Sequence, residues 1–238
     1  MSYELDLIVL AVLLYLVDSS PLLYSNEMLL ECHSRDIWSA AQGRIVLAGR
    51  FLCVLNPLTP HRPAYRLRWR LADLEVDGEK AVWSNSAKEL RALAPAVLTA
   101  GVGLFLVLPV GMFSPLGAYA VVAAVILIYG ATIVALFQLY RRRVRLALPP
   151  RRLFAIAFEC LACPPFAVNL VRRLTLAVPI AEPLPLAASR LLSEAGWRAL
   201  KPRWLSLLDE AIESADDPYE RQLLEAQKKR FLLMDGGI

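Results

Sequence analysis

The residues best suited to chemistry are few. Cys160-Leu161-Ala162-Cys163 is a CxxC, and two thiols three apart on a helix can share a metal ion or form a redox pair. One CxxC supplies only two ligands, and Cys32 and Cys53 stand alone in the sequence. A thioredoxin-type site also needs a βαβ setting, which this stretch lacks, so structural thiols are the expectation. Cys32-His33, Cys53 and His61 could converge on a metal, but their spacing matches no metal motif. No GxSxG, HExxH or GxxxxGK[ST] occurs. The paired carboxylates Asp209-Glu210 and Asp216-Asp217 lie in the tail, and the second pair is better explained as a helix cap. The chain is therefore expected not to be an enzyme, with no cofactor and no bound metal.

The most distinctive polar feature is a stripe of arginines. Tyr65-Arg66-Leu67-Arg68-Trp69-Arg70-Leu71 alternates strictly, which on a strand puts Arg66, Arg68 and Arg70 on one face. Three guanidinium groups so arranged could bind phosphates, acidic lipid or an acidic partner. The plainer reading is a solvated outer face of a half-buried sheet. With Trp69 and the basic run Arg141, Arg142 and Arg143, these residues are the candidates for binding partners or lipid. Asp18, Gln138, Glu159 and Asn169 are polar residues at or near apolar segments, where such groups mark a pathway or a helix contact.

These candidates sit on a chain built for lipid. Of its 238 residues 57% are hydrophobic, and the mean hydropathy is +0.48. Ala92–Tyr140 holds no Asp, Glu, Lys or Arg, and a charge-free run above roughly 18 residues reads as a spanning helix. This one accommodates two, about Leu93–Phe113 and Leu116–Tyr140, turning at Ser114-Pro115. Pro95 and Pro109 are positioned to kink the first of them. Glycines at 101, 103, 111, 117 and 130, with Ala120, Ala124, Ala131 and Ala135, offer small surfaces for close packing. A third span is expected over residues 4–24. Its N-terminus carries Glu4 and Asp6 and no cation, unlike a signal peptide.

Charge sets the orientation. No Lys or Arg precedes the first apolar segment, ten lie between Ser25 and Arg91, none at Ser114-Pro115, and many follow Tyr140. The positive-inside rule then puts the N-terminus outside and the C-terminus in the cytoplasm. In that position the four Cys stay reduced. The net charge of +4 is concentrated beside membrane segments, which favours anionic lipid headgroups over nucleic acid.

The expected fold is an α-helical integral membrane protein with a small cytoplasmic α+β module, built on antiparallel hairpins, and a helical C-terminal tail. Its parts are an anchor helix (1–24), the α+β module (25–91), a transmembrane hairpin (92–140), a basic interfacial or re-entrant segment (141–182) and the tail (183–238). Within the module, Arg44–Leu55 is a near-continuous apolar strand run and Asn56–Pro63 a Pro-rich turn. Asp77-Gly78 turns a hairpin, and Ser86-Ala87-Lys88-Glu89 is a capping box that starts a helix. In the tail, Asp217-Pro218-Tyr219-Glu220 combines an N-cap with Pro at the first helical position.

The functional expectation is a non-catalytic subunit that anchors or scaffolds a multiprotein assembly at the cytoplasmic face of a bacterial inner membrane. Its partners would be other membrane or cytoplasmic subunits and anionic headgroups, with Trp69, Trp83, Trp197 and Trp204 suited to contacts. Two alternatives stand beside it. One is a membrane-surface redox or metal enzyme using Cys160 and Cys163. The other is a homo-oligomeric channel whose pore forms between copies.

Overall fold

The computed structural model describes residues 3–24, 27–33, 38–41, 45–47, 49–68, 82–115, 117–177 and 194–233. The chain is mostly helical, with a small antiparallel sheet module. Helix α1 (Tyr3–Asp18) comes first, followed by strand β1 (Leu22–Leu23). At 16 residues α1 extends about 24 Å at 1.5 Å per residue. That is short of the roughly 30 Å hydrocarbon core, so the expected 4–24 span is not formed as a single helix. Pro21 has no N–H to continue the helix, and it biases the preceding residue toward extended backbone. The Cys53 N–H donates to the Pro21 carbonyl instead, and the chain turns into a sheet.

Among the described residues six strands form two three-stranded antiparallel sheets. Besides β1 they are β2 (Glu27–Cys32), β3 (Trp38–Ala41), β4 (Ile45–Leu47), β5 (Arg50–Leu52) and β6 (Ala64–Arg68). Their orders are β1-β5-β4 and β3-β2-β6. The apolar run over 44–55 is split at Gly49, whose φ of +74° favours glycine. It folds back as the β4–β5 hairpin. Strand β2 lies between β3 and β6 with all six residues buried, so both of its faces are covered. The Asp77-Gly78 turn lies outside the described residues.

Helix α2 (Val82–Arg91) already contains Ser86, which is therefore helix interior and not the predicted cap. Among the described residues two helices are long and apolar enough to cross a bilayer: Ala94–Phe113 (20 residues, mean hydropathy 2.2) and Gly117–Arg142 (26 residues, mean hydropathy 2.6). Only 33% and 28% of their apolar windows are buried, where the core helix of a soluble protein would be mostly buried. Their outer residues, such as Tyr119 and Ile126, face away from the protein.

The first of these helices is α3 (Ala94–Val102), a π-helical turn (Gly103–Val107) and α4 (Leu108–Phe113). Pro109 cannot donate a hydrogen bond, and its ring crowds the carbonyl one turn back. The wider turn before it accommodates both effects. The second helix is α5 (Gly117–Arg142). Gly111 and Gly103 let the two approach closely. A Cβ on Gly111 would lie 2.9 Å from the Val121 backbone nitrogen, and one on Gly103 2.9 Å from Ile128 Cγ1. Gly130 meets nothing within 4 Å, so it takes no part in this packing.

Residues 150–176 form three short helices: α6 (Pro150–Ala162), α7 (Pro164–Val168) and α8 (Leu170–Leu176). The break at Cys163 follows from Pro164-Pro165. Val168 at the tip of α7 packs with Tyr15, Ala100, Leu104 and Ile128. Ala100 lies seven residues beyond Leu93, roughly 10 Å into the helical bundle. The tail forms α9 (Glu194–Ser214) and α10 (Pro218–Leu233). Asp217 caps α10 as its sequence predicts, its Oδ1 accepting from the Tyr219 N–H at 2.9 Å. Lys228 pairs with Asp209 across the two helices.

Candidate functional site

Opposite charges placed alone in apolar segments must find one another, because burying an unpaired ion costs several kcal/mol. Here Asp18, Glu159, Arg172 and Arg173 meet at one joint. Helix α1 delivers Asp18 at its last position, α6 delivers Glu159, and α8 carries both arginines. Arg173 Nη1 donates to Asp18 Oδ1 at 2.9 Å, and its Nη2 pairs with Glu159 Oε2. The same guanidinium lies 4.2 Å from the centre of the Phe166 ring. One cation thus holds two carboxylates and an aromatic face.

Arg172 points the other way, into the sheet module, and is fully buried. Its Nη2 donates to the carbonyls of Asn56 (2.6 Å) and Thr59 (2.9 Å) and lies 3.9 Å from Glu31 Oε1. Burial pulls this guanidinium below its ordinary pKa, and Tyr15 and Glu31 partly offset that. Among the described residues its Nε and Nη1 find no hydrogen-bond partner, nor do Asn169 Oδ1 and Asp18 Oδ2.

Three further bonds close the joint. The Tyr15 hydroxyl donates to the Pro57 carbonyl. Asn169 Nδ2 donates to the Tyr15 carbonyl at 3.0 Å, and the Ala64 N–H of β6 donates to Thr175 Oγ1 at 3.1 Å. Leu176 packs on the apolar cluster of Leu23, Leu29, Cys53, Leu55 and Ala64. Helix α8 is therefore a clasp between the bundle and the Pro-rich loop of the sheet module. Its sequence signal was present as Asp18, Glu159, Asn169 and the Arg172-Arg173 pair. The sequence marks Asp18, Glu159 and Asn169 as separate polar interruptions, and nothing in it joins them to Arg172 and Arg173.

A second joint involves the basic run. Glu89 of α2 accepts from Arg142 Nε at 3.1 Å and from Arg145 Nη1 at 3.0 Å. Arg143 lies 4.5 Å from the centre of the Tyr140 ring, and Arg141 is exposed.

The arginine stripe is placed in part. Arg66 lies opposite Leu29 and Arg68 opposite Glu27 in the β2–β6 register. Arg66 Nη1 is 3.6 Å from the buried Glu27 carboxylate, and its side chain is 28% exposed. This face also carries the fully buried Leu29 and Ala64, so at its Ala64 end it is turned into the protein. Trp69, Arg70 and the side chains of Arg68, Trp83, Trp197 and Trp204 lie outside the described residues.

The thiols are held away from reactivity. Cys160 packs in the apolar cluster of Leu93, Leu139 and Leu170, and burial pushes its thiol up to about 12. Cys53 is pushed up to about 11, by burial first and Glu31 second. Cys163 is half-buried. Arg91 Nη2 lies 2.9 Å from Cys32 Sγ. Among the described residues no three His, Cys, Asp or Glu side chains are grouped to hold a metal ion. An apolar cleft of about 590 Å³ opens between α1 and the two long helices, lined by residues such as Leu7, Ala11, Leu108 and Met112.

No known protein family, curated protein or solved structure matches this chain.

Proposed function

We propose that this chain is a non-catalytic membrane subunit that anchors or scaffolds other proteins at the cytoplasmic face of a bacterial inner membrane. The observation that carries this reading is the α8 clasp. From adjacent positions on α8, the buried Arg172 bonds to the sheet module and Arg173 to Asp18 and Glu159 of the helical bundle, so one helix ties the two together. Such a joint gives rigidity, as a mount requires, and leaves these two cations little freedom to act on a substrate. Raised thiol pKa values also weigh against Cys160 as a nucleophile or metal ligand, because both roles need the thiolate. The basic turn after α5 belongs on the cytoplasmic side under the positive-inside rule. The sheet module then projects on that side, where partner subunits dock.

The test is native mass spectrometry of the gently extracted particle, with identification of every component. Distinct proteins in a fixed ratio are the expected result. A lone chain overturns the proposal, and a closed homo-oligomer favours the channel reading. Replacing Arg66, Arg68 and Arg70 with Glu is expected to release the partner. Because Arg66 is tied to Glu27, the R68E/R70E variant separates loss of contact from damage to the sheet. A particle unchanged by both variants removes the stripe from the interface.

A further inference from the structure

Helix α6 presents two apolar faces. Leu153, Ile156 and Cys160 point inward and pack with Leu93, Ala135 and Leu139. On the opposite side Phe154, Phe158 and Leu161 recur at helical spacing and are 77%, 66% and 39% exposed. Exposing two phenylalanines to water is unfavourable. Something apolar therefore covers this face.

Charge identifies the cover. The compact turn that joins α5 to α6 is closed by the Leu146 N–H on the Arg142 carbonyl and the Leu148 N–H on the Arg143 carbonyl. Arg141 precedes this turn, and Arg151 and Arg152 follow it. None of the three has a carboxylate partner among the described residues, whereas Arg142 and Arg145 are held by Glu89. Phe154 lies less than one helical turn beyond Arg151. Cations at one end of an exposed aromatic stripe match the boundary between headgroups and acyl chains, where apolar side chains enter the lipid and arginines meet phosphate. Helix α6 also packs against α5, whose outward residues Ile133 and Phe137 are exposed along the bilayer-length helix.

We infer that the outer face of α6 with Arg141, Arg151 and Arg152 is a binding surface for anionic phospholipid of the surrounding leaflet. This rests on the membrane reading above and names the lipid class that the basic turn selects. The acyl chains lie along Phe154, Phe158 and Leu161, and the acidic headgroups sit at the three unpaired guanidinium groups.

The experiment uses the full chain in vesicles. Phe154→Trp and, as a mid-helix control on α5, Ile126→Trp each add one tryptophan to the native background. Quenching of the added emission is measured with acyl-brominated phosphatidylglycerol and acyl-brominated phosphatidylcholine at equal mole fraction. Both positions are expected to be quenched. At position 154 the acidic lipid is expected to be enriched roughly fivefold or more, from about 1 kcal/mol per arginine, and near parity at 126. The R141Q/R151Q/R152Q background is expected to return position 154 to parity.

Quenching at 154 without headgroup preference overturns the inference. So does quenching at 126 but not at 154, which means that protein covers α6; the subunit reading then still stands. Quenching at neither position takes the membrane reading down as well. The composition of the native particle, measured on the same variants, reports the subunit reading independently.

Discussion

The strongest test at the residue scale is Arg173. It is bonded to Asp18 and Glu159 at once, so removing it leaves two carboxylates facing each other in a poorly solvated joint. Breaking a buried pair from one side typically costs 3–5 kcal/mol. Arg173 and Glu159 keep some exposure, at 22% and 43% of their side chains, so the low end, about 3 kcal/mol, is expected for Arg173→Gln. The R173Q/D18N/E159Q triple variant is expected to regain most of that loss, because it removes the charges together. Unfolding in mixed detergent micelles measures both. If R173Q alone is as stable as the parent, the joint is not a clasp. The partnership was not legible in the sequence because Asp18 and Arg173 are 155 positions apart. Only the physical need to neutralise each of them pointed to it.

At the scale of elements, glycine positions separate packing from exposure. The sequence presents glycines 101, 103, 111, 117 and 130 as one set of small residues, and no pattern in it ranks them. In the fold, Gly111 abuts the backbone of Ala120 and Val121, whereas Gly130 faces open space. Backbone cannot swing aside as a side-chain tip can. Gly111→Ala is therefore expected to cost about 1–3 kcal/mol through forced separation of α4 and α5. Gly130→Ala is expected to leave stability unchanged or raise it by up to about 1 kcal/mol, since Ala is the better helix former. The same unfolding assay compares them, and equal effects would mean that the two helices do not meet at Gly111. The two long helices themselves were legible, because an uninterrupted apolar run has few other solutions. The end of the first apolar helix was not legible because hydropathy continues through Leu22-Leu23, and only the pairing of these residues with Leu52 and Phe51 shows that they belong to a sheet. The split at Gly49 was missed for a related reason. An apolar run without polar punctuation conceals a turn that one positive φ is enough to make.

At the scale of the whole molecule, the helix ends sort by charge. Helix α1 runs antiparallel to α3–α4, since the Tyr15 ring centre lies 4.9 Å from that of Phe105 while Leu7 and Ile8 lie in the same cleft as Met112. The Arg142–Glu89 pair brings the end of α5 beside α2, just before α3 begins. The Ser114-Pro115 turn thus lies at one end of the bundle, and the basic turn after α5 at the other. If a bilayer surrounds the two long helices, the positive-inside rule fixes which end is cytoplasmic. Ser114→Cys is then expected to react with an impermeant maleimide in intact cells, and Ser206→Cys on α9 only after the membrane is opened. The native thiols allow this measurement. With its thiol pushed up to about 11, Cys53 has only about one thiolate in a thousand at pH 8. Cys160 is pushed further still, to about 12. Both stay silent while the fold is intact, Cys32 is shielded by burial, and the half-buried Cys163 is removed as Cys163→Ser. The sign of the shift makes labelling a folding control too. As pH rises past the unfolded thiol value of 9.0 toward 11, the folded state holds a proton on Cys53 that the unfolded chain gives up. Stability contributed at that site is full below pH 9 and is lost across this window, so labelling is done at neutral pH. Reaction of both introduced thiols from the same side would reject the hairpin topology, and with it the placing of the sheet module and the α6 arginines at the cytoplasmic face.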